Sequence, residues 1–242
     1  PFPLGGDPLH DGDPLRSANV LNNSWGCPQQ HEGCDPTSLQ PAVAALAAAG
    51  IFVVASAGND GPACSTITDP IALYADAFTV GAVDRAGDLA SFSSAGPVTA
   101  DDSGRTKPDI AAPGVAVWSA YPGGQYAEMS GTSMAGPHVA GVVALMWSAN
   151  PQLVGDIERT AQLLRETAKP FSGAMENPYS VMAEEETPDG ILPRASATPA
   201  ADWTPPAGSC ILAVAADVRP NNLVGYGIVD AYAAVQRALA EK

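Results

Sequence analysis

Basic residues and histidine are scarce in this chain. Its 242 residues include 11 lysines and arginines, 26 aspartates and glutamates and 3 histidines, so the net charge is −15. Nucleic acid and anionic membrane surfaces are therefore disfavoured as partners, because both carry negative charge themselves. The acidity is typical of a solvated surface, and an acidic cleft that prefers basic substrates is the alternative.

Long hydrophobic runs are also lacking. No stretch reaches the roughly 18 uninterrupted apolar residues that a membrane span requires, so we expect no span and no membrane partner. Apolar residues nevertheless make up 46% of the chain, which is not the composition of a disordered protein. A chain of this length can form one large domain with a sizeable core.

Cysteine is limited to four positions. Cys27 and Cys34 flank a short polar loop, which favours a local disulfide, and Cys64 and Cys210 could form a second one. Free thiols are the alternative for all four. The spacing of Cys27 and Cys34 does not suit a zinc site, and no matching pair of histidines is present.

Strand-like and helix-like segments alternate along the chain. Continuous apolar runs are typical of buried parallel strands, and alanine-rich or periodic segments are typical of helices. This alternation predicts an α/β fold with a parallel sheet covered by helices on both faces. The predicted strands are 20–24, 51–56, 78–83 and 115–119, and the predicted helices are 39–49, 132–149, 154–168 and 229–241.

Residues 170–222 break this alternation. They are rich in proline and contain three consecutive glutamates at 184–186, so we predict a long surface insertion there. Residues 1–18 have little periodicity and are predicted to be a loop.

The most informative segment is 130–141, Ser-Gly-Thr-Ser-Met-Ala-Gly-Pro-His-Val-Ala-Gly. It places the hydroxyl of Ser133 at the start of a long helix with almost no polar face, which we expect to be buried on all sides. Gly131 and Thr132 are predicted to supply the turn and the N-cap. Unpaired backbone N–H groups and the helix dipole would stabilise an anionic intermediate at such a serine. The alternative is a serine that only caps the helix.

Six further segments, in order along the chain, resemble blocks of the subtilisin-like serine peptidases (subtilases). The resemblance implies a subtilisin-like three-layer fold, in which a mostly parallel sheet lies between helices. It also implies that residues 1–242 are part of a catalytic domain whose N-terminal strands are missing, with the insertion at about 170–222. The six segments are 20–26, 53–61, 79–84, 90–96, 107–114 and 225–230.

The same resemblance implies roles for individual residues. Ser133 matches the nucleophile, and Asn59 matches the side-chain amide that donates to the oxyanion. Asn59 could instead be a turn residue, and Trp25 could be ordinary packing. Two further segments match the backbone that pairs with an extended substrate, and their residues are Ser24, Trp25, Gly26, Ser56, Ala57 and Gly58.

Acidic residues offer two further expectations from the resemblance. Asp60 matches the rim of the pocket that receives the residue whose carbonyl is attacked, the P1 residue. Asp101, Asp102 and Asp109 could bind a structural calcium ion, although Asp109 fits better as part of a Pro-Asp-Ile turn. We assign no residue as a metal ligand and expect no cofactor in the chemistry.

Subtilases also use a histidine and an aspartate, and neither is found where the family places it. The family histidine precedes the serine by roughly 155 residues, whereas Ser133 is preceded by 132. His10 is too close to the segment at 20–26, His31 lies in a polar loop, and His138 is expected to be a buried, hydrogen-bonded helix residue. We therefore interpret the chain as a fragment of a serine endopeptidase that is inactive by itself.

Two other functional hypotheses can be compared with the serine endopeptidase. A pseudoprotease that serves as a binding or scaffold module is the alternative, although it would have no need to retain both Ser133 and Asn59. An esterase of the α/β-hydrolase class is excluded, because the segment 131–135 lacks the second glycine of its motif and no histidine follows His138.

The resemblance finally implies a setting for the protein. We expect a peptide or protein substrate, a monomer when the domain is complete, and secretion to the extracellular space. The even number of cysteines agrees with an oxidising compartment.

Overall fold

A computed structural model describes residues 13, 16–27, 32–171, 173–175, 210–212 and 218–241. Most of the predicted insertion at 170–222, most of the predicted loop at 1–18, His10 and His31 lie outside the described residues.

Strands and helices alternate through the described part of the chain. Asp156 and Asp230 cap two of the helices, each accepting a hydrogen bond from the backbone N–H three residues later. The strands are β1 (Val20–Asn23), β2 (Phe52–Ser56), β3 (Phe78–Val83), β4 (Ile110–Pro113), β5 (Val117–Tyr121) and β6 (Gln125–Met129). The helices are α1 (Gln40–Ala48), α2 (Thr132–Ala149), α3 (Ile157–Thr167) and α4 (Ala231–Leu239).

The central sheet has four parallel strands in the order β1-β2-β3-β4. Side chains alternate between its two faces, as strand geometry requires. Phe52 and Val54 of β2 join the core that includes α2, whereas Val53 and Ala55 join a second core with Val43 of α1. The prediction of a parallel sheet flanked by helices is confirmed.

One predicted strand does not belong to this sheet. The segment at 115–119 was expected to be a parallel strand, but β5 pairs antiparallel with β6 in a separate two-stranded sheet. The fourth strand of the central sheet is instead β4, which sequence reasoning missed. Its four residues lie between Pro108 and Gly114 and are too few to show a periodicity.

The central helix α2 is buried on one side only, which corrects the prediction of burial on all sides. Its inner face packs on all four strands of the central sheet and on α4. Its opposite face has no described element over it, so a stripe that recurs every three to four residues is exposed. That stripe consists of Pro137, His138, Gly141, Ala144, Leu145 and Ser148.

Both predicted disulfides are present. Cys27 and Cys34 have their Cα atoms 5.7 Å apart, and Cys64 and Cys210 have theirs 4.6 Å apart. The second bridge joins residues 146 positions apart, so it ties the end of the predicted insertion to the loop that follows β2.

Candidate active site

The carboxyl ends of β1 and β2 and the amino end of α2 meet at one edge of the central sheet. Parallel strands place the loops that follow them side by side, and such edges commonly form ligand sites. The edge encloses a cleft of about 290 Å³. The cleft is lined by Ser24, Trp25, Gly26, Ser56, Ala57, Gly58, Asn59, Asp60, Asp69, Pro70, Ala72, Thr132 and Ser133.

Ser133 is the second residue of α2 and is half-buried at the cleft. Its Oγ donates a long hydrogen bond to the Ser24 carbonyl, at 3.4 Å, and the Ser24 hydroxyl donates to the Ser133 carbonyl at 3.0 Å. The Asn22 side-chain amide in turn donates to the Ser24 hydroxyl at 2.9 Å. These bonds tie the loop after β1 to the first turn of α2.

The side chain of Asn59 has one defined orientation. Its Oδ1 accepts hydrogen bonds from the Thr132 backbone N–H at 2.9 Å and from the Thr132 hydroxyl at 3.0 Å. Because these bonds fix Oδ1 toward Thr132, the amide nitrogen Nδ2 points away from Thr132 and keeps its N–H groups available. A methyl group built on Gly131 would lie 3.7 Å from both Asn59 Nδ2 and the Ser133 backbone nitrogen, so these two donors flank the same small volume.

The start of α2 differs in one detail from the prediction. Gly131 alone occupies the N-cap position, and no side chain caps the helix. Its φ of 155° and ψ of 159° lie in a region essentially restricted to glycine. Thr132 is the first helical residue, and its fully buried hydroxyl contacts Asn59 and the backbone of Gly58.

The prediction for His138 is correct in its hydrogen bond and in its direction away from Ser133, and wrong in its burial. The predicted hydrogen bond is present, since Nδ1 contacts the Met134 carbonyl oxygen at 2.8 Å. The predicted burial is wrong, because five residues of helix turn His138 away from Ser133 onto the exposed stripe of α2. Among the residues with described contacts, no histidine bonds to the Ser133 hydroxyl.

Asp69 is a cleft residue that sequence reasoning missed. It follows β2 in an irregular loop, and no motif marks it. Its carboxylate lies against the cleft wall at Gly26, where an added Cβ would approach Oδ2 to 2.7 Å. Burial and the negative charge of Asp60 raise the pKa of Asp69 above its ordinary value of 3.8, with a smaller contribution from Glu32.

The candidate calcium ligands Asp101 and Asp109 are engaged by cations of the chain itself. Asp101 Oδ2 contacts Arg105 Nη1 at 3.0 Å. The buried carboxylate of Asp109 contacts Lys107 Nζ at 2.6 Å and Arg165 Nη2 at 2.9 Å. Within the described residues, no cluster of three or more His, Cys, Asp or Glu side chains could hold a metal ion.

A family model described as the subtilase family matches residues 15–227. The chain belongs to the subtilase family. The matched range includes every residue that lines the cleft.

Curated relatives support the assignment and show how much of a relative's length this chain covers. This subtilase is 41% identical over 168 residues to a thermophilic serine proteinase of Bacillus sp. (strain AK1), across 68% of this chain and 38% of the relative. It is 41% identical over 154 residues to subtilisin BL of Lederbergia lenta, across 62% of this chain and 51% of the relative. The aligned region therefore spans about half or less of either relative.

Solved structures support the fold. The structure of the prenylagaramide maturation protease PagA superposes with a TM-score of 0.60 at 24% identity, across 94% of this subtilase and 64% of that chain. At this identity the likeness shows a shared fold. In the portion of the subtilase with described structure, no helix is long and apolar enough to cross a membrane.

Proposed function

We propose that the protein to which this chain belongs is a serine endopeptidase that cleaves peptide bonds through an acyl-enzyme. The observation that carries the proposal is the position of Ser133 in the first turn of α2, in one cleft with Asn59. A serine in that position has its own backbone N–H and the positive end of the helix dipole beside the attacking oxygen.

In the proposed reaction, Ser133 Oγ attacks the substrate carbonyl and its proton passes to a general base. The carbonyl oxygen becomes an anion, which accepts hydrogen bonds from Asn59 Nδ2 and the Ser133 backbone N–H. The protonated base gives this proton to the substrate nitrogen, so the C–N bond breaks, the amine leaves and an acyl group stays on Ser133. Water then hydrolyses the ester, and the same two donors stabilise the second anion. These steps require no cofactor.

The proposed base is not His138, whose ring is exposed on the far side of α2. The family pattern supplies a histidine and an orienting aspartate before the nucleophile in chain order. We assign both roles to residues outside 1–242. The low coverage of the curated relatives agrees with this assignment.

The substrate is proposed to be an extended peptide. The loops after β1 and β2 form the two sides of the cleft, and their backbone groups at 24–26 and 56–58 can pair with a strand-like ligand. The small side chains of Ser56, Ala57 and Gly58 leave room for a substrate side chain between these loops.

The proposed setting is the extracellular space, with the protein acting as a monomer. Two disulfides support an oxidising compartment, because cytosolic thiols are kept reduced. A structural calcium ion, with ligands other than Asp109, remains part of the proposal; loss of thermal stability in EGTA would support it.

A fluorophosphonate probe tests the proposed function in the longer protein that contains this chain. The probe forms a bond with an activated serine oxygen and loses fluoride, so we expect labelling of the parent and none of Ser133→Ala. Asn59→Ala should still fold and should turn over peptide more slowly; in subtilisin, loss of one oxyanion donor slows turnover about 10²- to 10³-fold. Equal labelling of Ser133→Ala would remove Ser133 from the nucleophile role. A folded parent that is neither labelled nor active would indicate the pseudoprotease.

A further inference from the structure

The cleft beside Ser133 has a carboxylate behind each of its two walls. On one side, Asp69 Oδ2 lies 2.7 Å from the position that a Cβ on Gly26 would take. On the other side, Asp60 Oδ2 lies 3.6 Å from the corresponding position on Gly58. Gly26 therefore lets the Asp69 carboxylate approach its wall more closely than a larger side chain would allow, whereas Asp60 is in ordinary contact distance of the wall at Gly58.

These two carboxylates lack a cationic partner in the described part of the chain. The arginines and lysines with described ion pairs contact other acidic residues, namely Asp101, Asp109, Asp230, Glu158, Glu166 and Glu241. The hydroxyl of Thr68 is the hydrogen-bond partner described for the Asp69 carboxylate, at a long 3.5 Å. Asp69 thus lines the cleft without a cation of the described residues to neutralise it.

The electrostatics of the cleft favour a positively charged occupant. Asp69 is half-buried, and its pKa is raised by burial and by the charge of Asp60. Two carboxylates that repel each other across a cleft are both stabilised by a cation placed between them. The net charge of −15 adds a long-range attraction for cationic peptides.

We propose that this cleft selects a lysine or arginine side chain at P1 and that Asp69 is the residue that selects it. The selection rests on the proposed peptidase function, since it assigns the substrate of that same cleft. The aliphatic stem of the P1 residue lies between the loops at 24–26 and 56–58, and its cationic end pairs with Asp69. Asp60 is exposed at the rim and contributes to the attraction without closing the cleft.

The test uses the longer, active protein and two peptide substrates that differ only at P1. Lysine is compared with norleucine, which matches the lysine stem without the ammonium group. We expect kcat/KM to favour lysine in the parent and the ratio to fall about 10- to 100-fold in Asp69→Asn, as for the loss of a hydrogen bond to a charged group. Asp76→Asn is the matched control, because it removes one exposed carboxylate outside the cleft.

A second measurement needs no variant. Benzamidine carries a cationic amidine and should slow fluorophosphonate labelling of the parent, whereas neutral benzamide of the same shape should not. The inference is wrong if norleucine is cleaved as well as lysine, if Asp69→Asn keeps the parental ratio, or if benzamidine and benzamide act alike. In those cases labelling of Ser133 persists and the peptidase proposal stands. Loss of both labelling and turnover in the parent would instead remove the proposed function, and the inference with it.

Discussion

Among single residues, Thr132 connects the two groups proposed to carry the chemistry. Its backbone N–H and its hydroxyl both bond to Asn59 Oδ1, and its hydroxyl also contacts the backbone of Gly58. The next residue along α2 is Ser133. Sequence reasoning recognised Ser133 and Asn59 from their motifs, but it assigned Thr132 to capping, because its contacts cross 74 positions of the chain.

Thr132→Val is expected to lower both turnover and stability. It keeps the shape of the side chain but leaves the Gly58 N–H without its hydroxyl partner and Asn59 with one bond fewer. An unpaired buried group costs about 1–3 kcal/mol, which denaturant unfolding would measure. Thr132→Ser retains the hydroxyl and should restore most of the turnover. If Thr132→Val kept parental kcat/KM, the hydroxyl would have no part in orienting Asn59.

Among the elements of the fold, a buried ion pair joins the segment directly before β4 to the start of β3. Lys107 Nζ donates to the Ala77 carbonyl and to Asp109 Oδ2, each at 2.6 Å. Asp109 also accepts from the Thr79 backbone N–H in β3 and from Arg165 in α3. The pair therefore sets where β4 enters the sheet. Sequence reasoning placed Asp109 in a turn, since nothing in its local pattern distinguishes a turn carboxylate from a buried one.

Asp109→Asn should destabilise the fold strongly. Loss of one partner leaves the Lys107 ammonium buried without a counter-charge, which costs about 3–5 kcal/mol. Asp101→Asn breaks the more exposed pair with Arg105 and should cost at most about 1 kcal/mol. Urea unfolding of the two variants measures this difference. Similar decreases in the free energy of unfolding for both variants would show that burial does not increase the cost of breaking the Lys107–Asp109 pair.

The same pair predicts how stability depends on pH. Burial by itself would raise the pKa of Asp109, but the Lys107 ammonium and the hydrogen bonds from Lys107 and Thr79 outweigh it and hold the pKa below 3.8. A carboxyl whose pKa is lowered by folding stabilises the protein above its unfolded pKa and loses that contribution as the pH falls through the folded pKa. As the pH falls below about 3.8, the free energy of unfolding should therefore decrease less for Asp109→Asn than for the parent; urea unfolding at a series of pH values measures this.

For the whole molecule, the Cys64–Cys210 disulfide makes the longest covalent connection. It closes a loop of 146 positions, against 7 for Cys27–Cys34. Loop-closure entropy predicts about 5 kcal/mol of stabilisation from the long bridge and about 2 kcal/mol from the short one. Replacing each pair by alanine and comparing free energies of unfolding measures both. Equal losses would indicate that the stabilisation does not follow loop length.

The sequence by itself determined what depends on neighbouring residues. Apolar runs predicted β1, β2 and β3, and alanine-rich or periodic segments predicted α1 to α4. Strands and helices each impose a periodicity on apolar side chains, and a short segment is enough to show it. The family motifs predicted roles for Ser133 and Asn59, since each lies in a short segment whose consecutive residues match the family.

Only the tertiary structure decided what depends on residues far apart in the chain. It placed β5 and β6 outside the central sheet, exposed one face of α2 and brought Asp69 to the cleft. Strand order, burial and the approach of one carboxylate to another depend on how distant segments pack. A local pattern does not contain that information, because the same short run can fold against many different neighbours.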